Sequence, residues 1–309
     1  MKISEKSLKV AIVQAAPILF DLEKTVDKIV DLVRKASEQG VKLVVFPESF
    51  IPCYPRGMSF GFAVGSRNDD GSEDWLRYYE NSISANSEEA KIISDVAKEC
   101  GVYISLGVTE KEDTTGTLYC TNFIFDDTGE IVAGHRKLKP TGSERCIWGE
   151  GDGSTLDVVD TPYGRMSSLI CWENYMPLAR ASLYKEGVSL YLAPTADSRD
   201  SWQNTIRHIG IEGRCFVIAC NQYVTKDMYP DDLKTYYELE KYPDVMCRGG
   251  SAIIDPFGNY VVGPVYDKEA ILIAELNLDM VNASRMDFDP CGHYARPDVL
   301  KLTVNKEKQ

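Results

Sequence analysis

Three short segments of this sequence each place a reactive side chain where a strand-like run gives out. Val44-Val45-Phe46-Pro47-Glu48-Ser49-Phe50 puts a carboxylate directly after a buried apolar run and a proline. A carboxylate desolvated there rises in pKa and is suited to taking a proton. The plainer reading is a glutamate that points to solvent or caps a helix. His135-Arg136-Lys137-Leu138-Lys139-Pro140-Thr141, followed by Glu144, concentrates positive charge on a chain whose net charge is −13. As a solvated turn it does nothing further, but a lysine held in an apolar site near carboxylates stabilises developing negative charge. Met166 to Ile170 is a strand that runs into Cys171-Trp172-Glu173-Asn174, with a helical pattern from about Met176. Such an elbow exposes the sulfur, and a nearby helix N-terminus lowers the thiol pKa toward the nucleophilic thiolate. The alternative is one more inert core cysteine.

Other chemistries fit the residues poorly. There is no Cys-x-x-Cys and no His-x-x-x-His, so no metal site is expected. A Cys–His dyad would need His135, His208 or His293, and none has a suggestive context. His208 and Glu212, one helical turn apart, read as packing or interface residues. Gly149-Glu150-Gly151-Asp152-Gly153 does not join a strand to a helix, which argues against a phosphate loop. What remains is a Glu–Lys–Cys set that needs neither metal nor cofactor.

The elements that must position this set are legible from periodicity. Strands are expected at Leu8–Gln14, Lys42–Phe46, Val102–Val108, Met166–Ile170, Leu190–Leu192 and Cys215–Ala219. Leu22, Val26, Ile29, Val30 and Val33 share one helical face that ends by Gly40. Ser87 caps a second helix with Ala90, Ile93, Ala97 and Cys100 inward and Gly101 after it. Ser201–Arg214 reads as a third. Two hairpins, Tyr119–Phe125 with Glu130–Ala133 and Ser251–Ile254 with Tyr260–Val262, interrupt the alternation. Hairpins mixed with βα units predict an α/β sandwich of mixed sheets rather than a purely parallel one. Val224–Arg248, dense in Tyr, Asp and Lys, is expected to be an irregular surface excursion.

Composition bounds the rest. The 309 residues carry 34 Lys+Arg and 47 Asp+Glu, a balance that argues against nucleic-acid or anionic-membrane partners. No apolar run approaches the roughly 18 residues of a membrane span, and the first residues lack a signal peptide's layout. Nine scattered cysteines predict free thiols and a cytoplasmic protein. One domain over residues 1–309 is expected, with a sandwich over about 8–302 and a polar tail over 303–309.

Taken together, the three segments resemble the nitrilase superfamily of carbon-nitrogen hydrolases, whose signature is Glu, Lys and Cys in that order. In this sequence they correspond to Glu48, Lys137 and Cys171, and the superfamily's second glutamate to Glu144. The flanks resemble the true nitrilase branch: Tyr54-Pro55-Arg56-Gly57, Trp148-Gly149, Cys171-Trp172-Glu173-Asn174-Tyr175-Met176-Pro177, Ala193-Pro194-Thr195-Ala196-Asp197-Ser198-Arg199 and Gly292 to Val299. Cys53 departs from the branch, which commonly has glycine there. The resemblance implies a four-layer αββα sandwich and hydrolysis of an organic nitrile through a Cys171 thioimidate and acyl thioester. An aliphatic amidase, an N-carbamoyl hydrolase or a cyanoalanine-type nitrilase would use the same set, and a catalytically idle scaffold is the reading from another class. Tyr54 and Trp172 are expected to line an apolar cleft for an aromatic or arylaliphatic nitrile, with Thr195 a weaker pocket candidate. The implied partners are the nitrile, water and further copies of the chain, as a homodimer or larger.

Overall fold

Apolar residues on alternate sides of each strand, with helices flanking them, dictate the layers. The computed structural model describes residues 6–66 and 68–309. In chain order the strands are β1 Ser7–Gln14, β2 Leu43–Val45, β3 Tyr103–Lys111, β4 Leu118–Phe125, β5 Ile131–Arg136, β6 Val159–Thr161, β7 Gly164–Ser168, β8 Leu190–Pro194, β9 Phe216–Cys220, β10 Tyr223–Thr225, β11 Val245–Ile254, β12 Tyr260–Tyr266 and β13 Ala270–Asn277. The helices are α1 Leu22–Ser37, α2 Asp69–Glu80, α3 Glu88–Cys100, α4 Pro177–Lys185, α5 Asp200–Gly213 and α6 Asp279–Ser284. One sheet has the order β13-β1-β2-β3-β4-β5; the other is β10-β11-β9-β8-β7-β6, with β12 beside β11. Both are mixed: β2 is parallel to β1 and β3, and β8 to β7 and β9, while the outer pairs are antiparallel.

Successive side chains of β1 point to opposite faces, and each face is dry. Val10 and Ile12 meet Leu190, Leu192 and Ile218 of the second sheet. Ala11 and Val13 belong to the layer under α1 and α3, which contribute Val26, Ile29, Val33, Ile93 and Ala97. Leu183, Ile206 and Ile209 of α4 and α5 cover the outer face of the second sheet at Tyr191, Ala193 and Val217. The result is the expected αββα sandwich. Ser87 caps α3 as read, accepting from Ala90 N, and Gly101 takes the left-handed φ of +59° that closes it; α1 is capped by Asp21, which accepts from Lys24 N, and ends at Ser37, short of the expected Gly40.

Parallel strands open their carboxyl ends onto loops, where α/β folds build sites. Glu48 follows β2, Cys171 follows β7, Thr195 follows β8 and Lys137 follows β5 directly. The turn after β2 requires glycine across from it: a Cβ on Gly107 would sit 2.1 Å from Pro47 O and 2.7 Å from Glu48 Cα.

The stretch 224–248 departs from the sequence expectation. It carries β10 and the start of β11, and Tyr229, Leu233 and Leu239 are buried beside Cys53, Met58, Phe60 and Cys171. Asp74 of α2, a helix the periodicity did not reveal, accepts from Thr235 N and Thr235 Oγ1 at 2.7 and 2.6 Å. Its aromatic residues are therefore a wall of the region around Cys171. Among the described residues no helix is long and apolar enough to cross a membrane.

Candidate active site

The structure brings the strand-end residues into one buried cluster. Lys137 Nζ donates to Glu48 Oε1 at 2.6 Å and to Glu144 Oε2 at 2.8 Å, and all three side chains are buried. Glu144 is held in turn by Tyr54 Oη at 2.6 Å and by the Thr141 amide at 2.6 Å. Each oxygen of Glu144 is thus committed. Glu48 is different: Oε1 also faces the Cys120 thiol at 3.6 Å, while Oε2 is buried with no hydrogen-bond partner among the described residues. The Gln222 amide fixes the Glu48 backbone through its carbonyl at 2.6 Å.

Cys171 sits at an elbow with a left-handed φ of +50°. A non-glycine residue there is strained by about 1–3 kcal/mol, so surrounding contacts must over-determine it. They do. Glu173 accepts from Ile170 N at 2.7 Å, and Asn174 Nδ2 ties the carbonyls of Leu169 and Cys171 at 2.9 and 2.8 Å. Tyr191 Oη donates to Asn174 Oδ1 at 2.7 Å, and Arg180 holds the Asn174 carbonyl while pairing with Glu212. Glu212, read from sequence with His208 as packing, braces the elbow from behind. The amides of Cys171 and Trp172 open the 3₁₀ turn Cys171–Tyr175 and so have no acceptor within it.

Electrostatics follows from burial. Burial raises the Cys171 thiol pKa, and the Glu48 charge raises it further, against Lys137. The sequence expectation of a thiol acidified by a helix N-terminus therefore gives way: desolvation outweighs a single short turn, and the resting sulfur is a protonated thiol. Burial also raises Glu48, with Lys137 opposing. Burial works against the Lys137 cation, but Glu48 and its neighbours outweigh it and hold the pKa well above the usual lysine range. The result is a more basic carboxylate beside a thiol that needs a base.

A cavity of about 200 Å³ adjoins the sulfur, lined by Tyr54, Arg56, Thr141, Glu144, Cys171, Trp172 and the segment 196–199. Trp172 is 39 % exposed, at the rim rather than in the core. Its Nε1 donates to Asp197 Oδ2 at 2.9 Å, and the Arg199 guanidinium lies 4.6 Å from its ring centre. The lining is more polar than the apolar cleft expected, because Arg56, Asp197 and Arg199 contribute charged groups to it. Thr195 does not line the cavity; it is buried, and its Oγ1 donates to Cys171 Sγ at 3.1 Å. Cys53 is buried too, its carbonyl held by Ser49 Oγ at 3.0 Å and Tyr78 Oη at 3.0 Å.

Sequence reasoning gave no role to the pair behind the cluster. His135 Nε2 lies 3.0 Å from Glu173 Oε2, and Glu173 also accepts from Leu138 N at 2.7 Å. One carboxylate thereby ties the strand end bearing Lys137 to the elbow bearing Cys171. Both residues stood inside the quoted segments, but nothing in their spacing said that they meet. His208 is an exposed helix residue 3.7 Å from Glu212, and neither it nor His293 lines the cavity. Among the described residues no group of three or more His, Cys, Asp and Glu is arranged to hold a metal ion.

Comparison with known proteins bears on the chain as a whole. The family model described as carbon-nitrogen hydrolase matches residues 9–286. An aliphatic nitrilase of Sinorhizobium fredii (strain HH103) is 47% identical over 97% of this chain and 96% of its own. Nitrilase 1 of Arabidopsis thaliana is 42% identical over 97% of this chain and 87% of its own. Among solved structures, the C. elegans NitFhit protein superposes with a TM-score of 0.74 at 22% identity, covering 97% of this chain and 68% of that one. A carbon-nitrogen hydrolase from Helicobacter pylori G27 gives 0.73 at 21% identity, covering 95% and 97%. At those identities the structures speak for the fold alone.

Proposed function

The chain belongs to the carbon-nitrogen hydrolase family, and we propose that it is a nitrilase, converting an organic nitrile and two waters to a carboxylic acid and ammonia. The observation that carries the mechanism is the free Oε2 of Glu48 in the same buried cluster as a protonated Cys171 thiol. A nitrile carbon is a weak electrophile, and a thiolate is the strong, soft nucleophile it needs; covalent catalysis then divides the addition into easier steps. Glu48 takes the thiol proton as sulfur adds to the nitrile carbon, and the proton passes to nitrogen, giving a thioimidate. Glu48 next draws a proton from water as the water adds. The tetrahedral carbon expels ammonia and leaves an acyl thioester, and a second water releases the acid and restores the thiol.

Lys137, with an amide at the start of the Cys171 turn, stabilises charge developing on nitrogen or oxygen. Losing one such donor costs about 10²–10³ in rate. Glu144, committed on both oxygens, orients Lys137 rather than moving protons. The polar cavity and the 47%-identical relative named an aliphatic nitrilase support a small aliphatic nitrile over the aromatic or arylaliphatic one that Tyr54 and Trp172 suggested. Exposed Tyr294, Val299 and Leu300 after Asp287 support a homodimer or larger assembly, which light scattering on the eluting protein would size. Nine free cysteines suit a reducing, cytoplasmic compartment.

Ammonia release from butyronitrile and, in parallel, from butyramide tests the reading, with Cys171→Ala as the blank. Turnover of the nitrile far above the amide is expected. Turnover of the amide alone would make the protein an amidase using the same cluster.

A further inference from the structure

Among the charged groups of the cavity, one cation is left over. Asp197 is spent on Arg199, whose Nε and Nη2 donate to it at 2.8 and 2.6 Å, and on Trp172. Glu144 is spent on Lys137, Tyr54 and the Thr141 amide. Arg56 has no such partner. One Nη2 hydrogen goes to the Ala196 carbonyl, and the guanidinium carbon lies 5.3 Å from the Tyr54 ring centre. Among the described residues no carboxylate pairs with it. A guanidinium has five N–H donors, so most of the fork remains available. Its position is also built: Tyr229 Oη donates to the Arg56 carbonyl at 3.0 Å, fixing the backbone from the wall formed by residues 224–248.

A partly desolvated cation without a counter-ion is costly unless an anion completes it. Neutral solvent satisfies the donors but not the charge. Cys171 lines the same cavity, so a group held by Arg56 belongs to the molecule whose other end meets the sulfur. Resting on the nitrilase reading, we infer that Arg56 is the anchor for a carboxylate on the substrate, and that the preferred substrate is a short aliphatic nitrile with a carboxylate a few bonds from the cyano carbon. A planar carboxylate matches the guanidinium fork with two parallel hydrogen bonds. Of the other carboxylates lining the cavity, Asp197 faces Arg199, and Glu144 faces Lys137, which it shares with Glu48.

The test compares 3-cyanopropanoate with 4-methylpentanenitrile, an uncharged molecule of the same heavy-atom count and outline, on wild type, Arg56→Gln and Arg56→Lys. Wild type is expected to favour the cyano acid at least about tenfold in kcat/KM. Arg56→Gln should erase that preference, losing about tenfold or more on the acid relative to the neutral nitrile, mainly through KM. Arg56→Lys should recover part of it, since a point charge replaces the fork. Rates on the neutral nitrile report that each variant is folded and competent. Equal losses on both substrates would overturn the inference and make Arg56 an aid to the chemistry or the fold. A wild-type preference for the neutral nitrile would overturn it as well, while leaving the nitrilase reading intact. Hydrolysis of neither nitrile, with butyramide turned over, would sink both.

Discussion

Glu48 and Glu173 are both buried carboxylates at strand ends of the same cluster, yet their environments push them in opposite directions. Glu173 has His135 on one side and the amides of Leu138 and Ile170 on the other, so both of its oxygens are satisfied. Burial alone would raise its pKa, but His135 and those donors outweigh it and the pKa falls. Glu48 has Lys137 and a weak contact with the Cys120 thiol on one oxygen and, among the described residues, no hydrogen-bond partner on the other, and burial raises its pKa. Burial makes a carboxylate expensive in both places. The number of donors decides whether it becomes a fixed clamp or a base with a lone pair to use.

That contrast is exposed to attack at several points. The largest expected effect is at the sulfur both carboxylates serve: Cys171→Ala abolishes turnover without changing the thermal transition, and residual ammonia release above the blank would end the covalent mechanism. Glu48→Gln and Lys137→Ala each lower kcat by about 10² or more. A single-turnover assay finding either variant near the wild-type rate would make that residue structural.

The two glutamates separate most sharply in stability. Glu48 is raised above its ordinary value of 4.5, so its charge costs stability at neutral pH. Glu48→Gln is therefore expected to melt no lower than wild type. Glu173→Gln breaks a buried pair and should cost about 3–5 kcal/mol. Glu173 is depressed below 4.5, so its contribution is present above that pH and fades as pH falls through the lower folded value. Burial opposes the His135 charge but Glu173 outweighs it, raising the pKa above 6.5, so that contribution is present below 6.5 and fades as pH rises through the higher folded value. The melting deficit of Glu173→Gln should thus be widest between about 4.5 and 6.5. A deficit independent of pH would show that the pair acts by shape alone. The smallest effect is at the rim, where Trp172→Ala should shift preference among nitriles by several-fold and leave the fold untouched; unchanged preference would remove the ring from substrate contact.

How much of this the sequence disclosed depends on the range of the interaction. α1 and α3 were readable because four or five apolar residues recur on one face and short-range caps mark the ends. Glu48, Lys137 and Cys171 were legible because each follows a strand: β2 and β7 are parallel to their neighbours β3 and β8, and β5 is antiparallel to β4. α2 escaped because Trp75, Tyr78 and Tyr79 are outnumbered by polar residues and Gly71 lies in its first turn. The stretch 224–248 misled because its apolar residues have no period; Tyr229, Leu233 and Leu239 are buried singly, by contacts with distant segments. The same reason hid His135–Glu173 and the unpaired Arg56, whose meaning lies in which neighbours they have or lack across long sequence separations.

The central claim is that Glu48, through its free oxygen, takes the proton from a thiol that burial holds protonated. Peptide-resolved alkylation of Cys171 by iodoacetamide across pH, in wild type and Glu48→Gln, tests it without a substrate. The account predicts rapid labelling of wild type near neutral pH, and labelling of the variant that is slow there and climbs only under alkaline conditions. Superimposable profiles for the two proteins would contradict it.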